Sequence, residues 1–262
     1  MELRPFRSLR YAPRVIFERG LAALLSPPVG RRPPGAPPEP AAPENILRVA
    51  LPQDAGDRAA AAAETLSGWL SADILMRERR PGLWVYRRTI PREPEPLAPP
   101  LLIGLVRLAT AALAAPADPP PPDPRTPAEL LALRRALRAD FEPCLLVTRA
   151  PLSGALSTNR QPDLSAEEPS GARHDAWRIH DYAEHVELQG LVKNGEAVLA
   201  EGRELWEAAR EFEKDPEAAK LSGARFKLCA IVEETRPREG RRAPLSAPAL
   251  GLFGVSLADP VY

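Results

Sequence analysis

Apolar and polar positions in this chain form short segments that can be assigned to strands and helices. An apolar run ends at Ala200, Gly202 follows, and a segment rich in Glu and Ala begins directly beyond the glycine. The spacing predicts a strand over 196–200, a junction at Gly202 and a helix from about residue 203 to 213.

The same patterns predict further elements along the chain. Asp57 has the position of a helix N-cap, and Leu66, Trp69 and Leu70 fall on the apolar face of the helix that follows, to about residue 72. Thr126 precedes a proline and lies three residues before Glu129, which is the pattern of a capping box. A further helix is predicted between 181 and 195. Strands are predicted over 46–51, 83–90, 101–108, 143–148, 175–179 and 225–233.

Strands and helices alternate without a strict βαβ rhythm. We therefore expect an α+β or mixed α/β fold, with a mixed sheet and packed helices. The 33 prolines cluster at 27–43, 91–100 and 116–127, and these clusters predict long irregular loops. The flanking elements have the apolar content of one core, so we expect a single domain over residues 1–262.

Charge and composition narrow the function classes. Lys plus Arg and Asp plus Glu are 35 each, so the net charge is zero and binding to duplex nucleic acid is disfavoured. No signal peptide or membrane span is evident, which favours a cytoplasmic protein. Cys144 and Cys229 lie in apolar runs and are expected to be buried free thiols. The three histidines have no ligand spacing, and no metal site is expected.

The Gly202 junction allows two interpretations. Amides at a helix N-terminus are unpaired and bind phosphate in many folds. Here Glu201, Glu204 and Glu207 crowd that end, where they are expected to stabilise the helix in place of a ligand and to repel a polyphosphate. An ordinary capped helix that packs Trp206 into the core is therefore favoured over a phosphate site.

Five short strings carry a resemblance to a known family. They are Pro5-Phe6-Arg7-Ser8-Leu9-Arg10-Tyr11, Ser26-Pro27-Pro28-Val29, Pro43-Glu44-Asn45-Ile46-Leu47-Arg48-Val49, Thr65-Leu66 to Trp69-Leu70, and Pro81 to Arg87. In this order they resemble the bacterial and archaeal domain of unknown function 1015 family. Members of that family are commonly longer, so the chain is expected to be a divergent, C-terminally shortened member.

Two motifs typical of that family are altered. Where the family has Ala-Asp-Gly-His-His-Arg-Tyr-Glu-Thr-Ala, Ala200, Gly202, Glu207 and Ala209 agree, but Arg203-Glu204-Leu205 replaces His-His-Arg.

The second motif, Pro-His-Glu-x-Thr, aligns with Pro122-Asp123-Pro124-Arg125-Thr126, so both its His and its Glu are missing. In addition, Val29-Gly30 stands where the family has Tyr-Asp.

By its Gly-x-x-Arg helix start, the family is similar to the ParB-like and sulfiredoxin superfamily, whose members bind nucleotides and include phosphotransferases and nucleotide hydrolases. The resemblance implies a ParB-like core. An active site would place Gly202, Arg203, Arg125 and Thr126 at the ligand. Its candidate catalytic carboxylates would be Glu201, Glu204 and Asp123.

The altered motifs favour a catalytically degenerate member with a scaffold or regulatory role. Its expected partner is another protein, such as an intact paralogue, rather than a nucleic acid or a membrane, and no cofactor is expected. The alternative is a divergent nucleotide-dependent phosphotransferase or hydrolase that uses ATP or ADP with magnesium.

Overall fold

A computed structural model describes residues 1–32, 42–52, 57–90, 99–110, 113–114, 116, 120–193, 195–234 and 247–261. The strands are β1 (Leu3–Arg4), β2 (Ser8–Tyr11), β3 (Leu75–Arg77), β4 (Leu83–Thr89), β5 (Leu101–Arg107), β6 (Ala139–Asp140), β7 (Cys144–Thr148), β8 (Leu164–Glu167), β9 (Arg173–Ile179), β10 (Ala197–Glu201), β11 (Phe226–Glu233) and β12 (Gly254–Ser256). The helices are α1 (Pro13–Arg19), α2 (Leu21–Leu24), α3 (Leu47–Ala50), α4 (Arg58–Ser71), α5 (Pro127–Leu137), α6 (Tyr182–Lys193) and α7 (Arg203–Glu213).

The larger sheet has the strand order β10-β7-β11-β5-β4-β9-β8, and β1 pairs with β5 as an eighth strand. β4 and β1 follow one another along the same edge of β5, since β4 pairs with residues 101–103 and β1 with residues 105–106. β7 and β11 run parallel, and every other pair in this sheet is antiparallel. The expected mixed sheet with packed helices is confirmed.

A second sheet has the order β3-β2-β12-β6 and is antiparallel throughout. It packs on one face of the larger sheet. Alternate residues of β5 show the arrangement: Ile103 and Leu105 face the core that includes the second sheet, and Leu102 and Val106 face a separate core with Trp206 of α7. Both faces of the central strands are therefore buried.

Several predicted elements are confirmed with their caps. Asp57 accepts hydrogen bonds from the amides of Ala59 and Ala60 at the start of α4. Thr126 and Glu129 form the predicted reciprocal capping box of α5. The predicted strand and helix on either side of Gly202 correspond to β10 and α7.

The predicted burial of Trp69, Trp206 and the two cysteines is confirmed. Cys144 and Cys229 are buried free thiols, and Trp84 and Trp177 are core residues as well. The predicted burial of Leu70 on the apolar face of α4 is wrong, because its side chain is exposed.

The strand predicted over 46–51 is wrong. This segment contains the short helix α3, and the side chain of Asn45 explains the difference. Its amide nitrogen donates to the carbonyls of Ala23 and Leu25, and its Oδ1 accepts from the amide of Leu47. Asn45 thus fixes the chain to α2 and caps the first turn, a tertiary constraint that apolar periodicity does not reveal.

The predicted proline-rich loops lie partly outside the described residues, at 33–41, 91–98 and 117–119. Where it is described, the 116–127 loop contains neither helix nor strand before α5 begins at Pro127. Every helix in the described part of the chain is too short or too polar to cross a bilayer.

Candidate functional site

The junction between β10 and α7 depends on the glycine at position 202. Gly202 has φ +85°, a left-handed conformation that costs little only for glycine. A Cβ there would lie 3.0 Å from the sulfur of Cys144 on β7. The Cys144 thiol also donates to the Gly202 carbonyl over 3.3 Å. Burial raises the pKa of Cys144 to about 12, so the sulfur stays protonated and can make this bond.

A groove of about 280 Å³ opens at this junction. Its walls come from stretches that are distant in sequence: 28–31, 116, 120–123, 142–143, 199–205, 247 and 250. Proline rings form much of the surface, at positions 28, 116, 120, 121, 122 and 143.

Residues from three of the strings that were compared with the family pattern line this groove: Val29 and Gly30, Asp123, and the Arg203–Leu205 segment. These positions cluster in space, although they are spread over more than half the sequence.

Five of the seven predicted site residues line the groove: Glu201, Gly202, Arg203, Glu204 and Asp123. Arg125 and Thr126 do not line it. Thr126 caps α5, and Arg125 lies behind the groove wall, where it is 5% exposed.

Arg125 clamps two carboxylates of the groove wall. Its Nε and Nη2 donate to Asp123 over 2.8 and 2.7 Å, and its Nη1 and Nη2 donate to Glu142 over 2.6 and 2.7 Å. The remaining Nη1 hydrogen bond goes to the carbonyl of Ala50. All five guanidinium N–H groups are therefore used, and each carboxylate is held at both oxygens.

The charge of Arg125 is fixed by this arrangement. Burial alone would lower its pKa, but the Glu142 and Asp123 carboxylates outweigh burial and raise the pKa above its ordinary value. The Arg125 guanidinium is therefore always positively charged.

Glu201 pairs with a different arginine, which contacts one of its two oxygens. Its Oε1 forms an ion pair with Arg31 across the groove, and its Oε2 accepts from the backbone amide of Ala247 over 3.1 Å. Glu201 thus links the walls contributed by three parts of the chain. It does not cap α7.

The start of α7 retains free donors within the described residues. Glu204 is the acidic residue in its first turn, and Glu207 lies outside the groove lining. None of the described residues accepts a hydrogen bond from the amides of Arg203 or Glu204. The glutamates thus do not cap this helix end by hydrogen bonds, because Glu201 bonds to Arg31 and Ala247 instead. Their electrostatic stabilisation of the helix stays a prediction.

A buried ionic cluster lies below the clamp. The ammonium of Lys227, which is 1% exposed, donates to both oxygens of Asp140 over 2.8 Å and to the carbonyl of Glu142. Arg134 also bonds Asp140, over 3.2 Å. Burial would raise the pKa of Asp140, but Lys227 and Arg134 reverse the effect and lower it.

Overall, four carboxylates and two guanidiniums line the groove, with Arg125 behind it. Because these charges nearly cancel, the groove has no strong positive potential that would attract a polyanion. Among the described residues, no three His, Cys, Asp or Glu side chains are arranged to hold a metal ion.

Sequence reasoning missed Arg31, Glu142 and Ala247 as parts of the groove. Arg31 and Glu201 are 170 positions apart, and no local pattern connects them. The clamp had a weak local signal, since Asp123 and Arg125 are two positions apart and share a turn-like Asp-Pro-Arg string.

The comparison with protein families gives one match. Residues 3–108 match the model of a family described as Protein of unknown function (DUF1015), which supports the resemblance seen in the sequence. No curated protein and no solved structure gives a significant match. The matched region runs from β1 through β5 and contributes the 28–31 wall of the groove, while the Arg125 clamp and the Gly202 junction lie beyond it.

Proposed function

We propose that this protein is a non-catalytic relative of the DUF1015 family, which uses its groove to bind a small ligand in a regulatory or scaffolding role. The observation that carries the proposal is the engagement of the groove carboxylates. Arg125 holds Asp123 and Glu142 at both oxygens. Glu201 has one oxygen on Arg31 and the other on the Ala247 amide. A carboxylate held at both oxygens by a guanidinium must break that ion pair before it can accept a substrate proton or bind a metal ion.

The composition of the wall supports the same conclusion. Among its described lining residues the groove contains no Ser, Thr, Cys, Tyr, His or Lys. These residues supply most covalent nucleophiles and many proton-transfer groups in enzymes. Glu204 is the lining carboxylate for which the described residues provide no ion pair.

The test is a turnover assay with matched variants. Purified protein is incubated with ATP, ADP, CTP or GTP, with and without magnesium, and product release is measured beside a thermal-shift titration. We expect no turnover above the level of a Glu204→Gln variant. Turnover that Glu204→Gln abolishes and the control Glu207→Gln retains would overturn the proposal, since Glu207 is on the same helix but outside the groove.

One observation favours a second candidate function, a nucleotide-dependent phosphotransferase or hydrolase with ATP or ADP and magnesium. The amides of Arg203 and Glu204 and the exposed Arg203 side chain lie at the groove, where they could donate to a phosphate. Under this hypothesis Glu201, Arg203 and Glu204 take over the roles of the family's His-His-Arg residues.

A nucleotide titration together with the turnover assay separates the two candidates. Ligand at 100 times its Kd would raise stability by about 2.7 kcal/mol, which a thermal shift detects readily. The phosphotransferase reading predicts a shift that Arg203→Ala removes and Arg210→Ala retains, because Arg210 is in the last turn of α7. The non-catalytic reading allows binding but no consumption of the nucleotide.

A regulatory role also implies a protein partner, and the sequence points to an intact paralogue in the cytoplasm. The buried free thiols Cys144 and Cys229 support a reducing compartment. Co-purification of the tagged protein with such a paralogue is the expected result, and recovery of the protein alone from cells that express both would argue against this partner.

A further inference from the structure

A hydrogen-bonded chain of three side chains lies away from the groove lining, on the face of the larger sheet that carries the second sheet. The Tyr86 hydroxyl on β4 is 2.7 Å from Nδ1 of His174 on β9. Nε2 of the same ring is 2.7 Å from Oε1 of Glu168, in the turn between β8 and β9. Tyr86 and His174 are 2% and 3% exposed, so the chain runs from the core to the partly exposed Glu168.

The geometry suits a neutral histidine. With the ring proton on Nε2, His174 donates to Glu168, and its bare Nδ1 accepts from the Tyr86 hydroxyl. Ser170 donates to the second oxygen of Glu168 over 3.0 Å and holds the carboxylate in place. A second ring proton would sit on Nδ1, directly against the Tyr86 hydroxyl.

The hydrogen-bonded side chains are connected to the groove by residues 247–253, the segment that precedes β12. The rings of Tyr86 and Phe253 pack edge to face with centroids 6.3 Å apart. In the same segment, the Ala247 amide donates to Glu201 in the groove, and Leu250 forms part of the groove wall. One short segment therefore contacts both the tyrosine and the groove.

We propose that the Tyr86–His174–Glu168 chain is a proton-sensitive latch, which holds the 247–253 segment against the groove while His174 is neutral and releases it when His174 is protonated. This role is independent of whether the groove is catalytic.

Protonation of His174 turns Nδ1 from an acceptor into a donor. The Tyr86 hydroxyl would then accept a hydrogen bond from His174, and its own proton would lose its acceptor. A buried polar group without a partner is costly, so the tyrosine has to move relative to the segment it supports.

The charged groups around His174 set the pH range. Glu168 faces it from the turn and favours the protonated ring, as Asp175 does from β9, while Arg88 on β4 opposes it. Burial outweighs the two carboxylates and lowers the pKa of His174 below its ordinary value of 6.5.

The direction of the effect follows from this shift. A released segment exposes a ring of ordinary pKa, which takes up a proton below pH 6.5, whereas the ring in the closed latch does not. The latch is therefore complete above pH 6.5 and weakens as the pH falls towards the lowered pKa of the closed form.

The experiment is hydrogen–deuterium exchange of peptides covering 247–253, from pH 7.5 to pH 5, corrected for the intrinsic exchange rate. Loss of one hydrogen bond predicts exchange about fivefold faster at the acidic end. His174→Gln, which cannot titrate, is expected to abolish the pH step. The control His180→Gln replaces an exposed histidine and is expected to keep it.

Tyr86→Phe provides a second, milder variant. It removes the hydroxyl but keeps the ring against Phe253, so the segment should exchange faster at pH 7.5 with no further rise on acidification. A wild-type segment with pH-independent exchange would overturn the proposal. A pH step that persists in either His174→Gln or Tyr86→Phe would overturn it as well.

Discussion

At the scale of single residues, arginine side chains determine what the groove can do. Arg125 lies between Asp123 and Glu142 with every N–H group bonded, and Arg31 holds Glu201 from the opposite wall. The Arg125–Glu142 and Arg31–Glu201 ion pairs also join separate parts of the chain, since their members are 17 and 170 positions apart. The groove walls are held together by the same contacts that engage its carboxylates.

Removal of the clamp should therefore destabilise the protein strongly. Arg125→Met leaves two largely buried carboxylates unpaired, and we expect a loss of about 3–5 kcal/mol in the free energy of unfolding, measured by urea denaturation. Arg135→Met is the matched control on the adjacent helix, since its side chain is 52% exposed and pairs with Asp215. The control should lose less than about 1 kcal/mol, and equal losses in both variants would contradict the clamp.

Gly202 allows a second test at this scale. Gly202→Ala forces a left-handed residue with a Cβ 3.0 Å from the Cys144 sulfur, and we expect a loss of at least about 1–2 kcal/mol. Gly190→Ala, inside α6 with open space around it, should instead be neutral or stabilising by up to about 1 kcal/mol. Thermal and urea denaturation of both variants measure the difference. A tolerated alanine at position 202 would show that the turn is not constrained as described.

At the scale of elements, the caps explain why much of the fold was predictable. Asp57 and the Thr126–Glu129 pair fixed the starts of α4 and α5 through bonds within four residues, and such local chemistry is visible in the sequence. The strand prediction over 46–51 failed because Asn45 bonds carbonyls 22 and 20 residues away. Short elements such as β8, inside a polar stretch, gave too little apolar pattern to be detected.

The cap of α5 gives a prediction for this scale. Thr126→Ala removes the side-chain acceptor for the Glu129 amide and should cost about 1 kcal/mol of stability. Thr126→Ser keeps the hydroxyl and is the control, with a smaller expected loss. If the two variants unfold at the same urea concentration, Thr126 contributes no cap. Its candidate role as a ligand residue stays a prediction.

At the scale of the whole molecule, the two sheets and α7 bring distant segments to one groove, and this assembly could not be predicted from the sequence. The resemblance marked Val29-Gly30 and the motifs at 122–126 and 200–209 as altered, but it did not show that they meet or that Arg31 and Glu142 join them. Ion pairs between residues so far apart depend on the finished fold. The positions of the candidate site could thus be predicted from the sequence, but the ion pairs that its side chains form could not.

The buried cluster beneath the groove predicts how acid affects the whole fold. The pKa of Asp140 is lowered in the folded state, so its contribution to stability is present above its ordinary pKa of 3.8 and is lost as the pH falls below it. Urea denaturation from pH 7 to pH 3 should show that the free energy of unfolding decreases at the acidic end. Asp140→Asn should be less stable at pH 7, and its free energy of unfolding should decrease less on acidification. An unchanged decrease in this variant would show that other carboxylates cause it.

The central claim is that arginines occupy three of the four groove carboxylates, Asp123, Glu142 and Glu201. The most direct measurement is a crystal structure of the protein grown with ATP and magnesium. The account predicts that Asp123 and Glu142 remain on Arg125 and Glu201 on Arg31, with no magnesium ion bound to any of the three. A magnesium ion coordinated by one of these carboxylates beside a phosphate would contradict it.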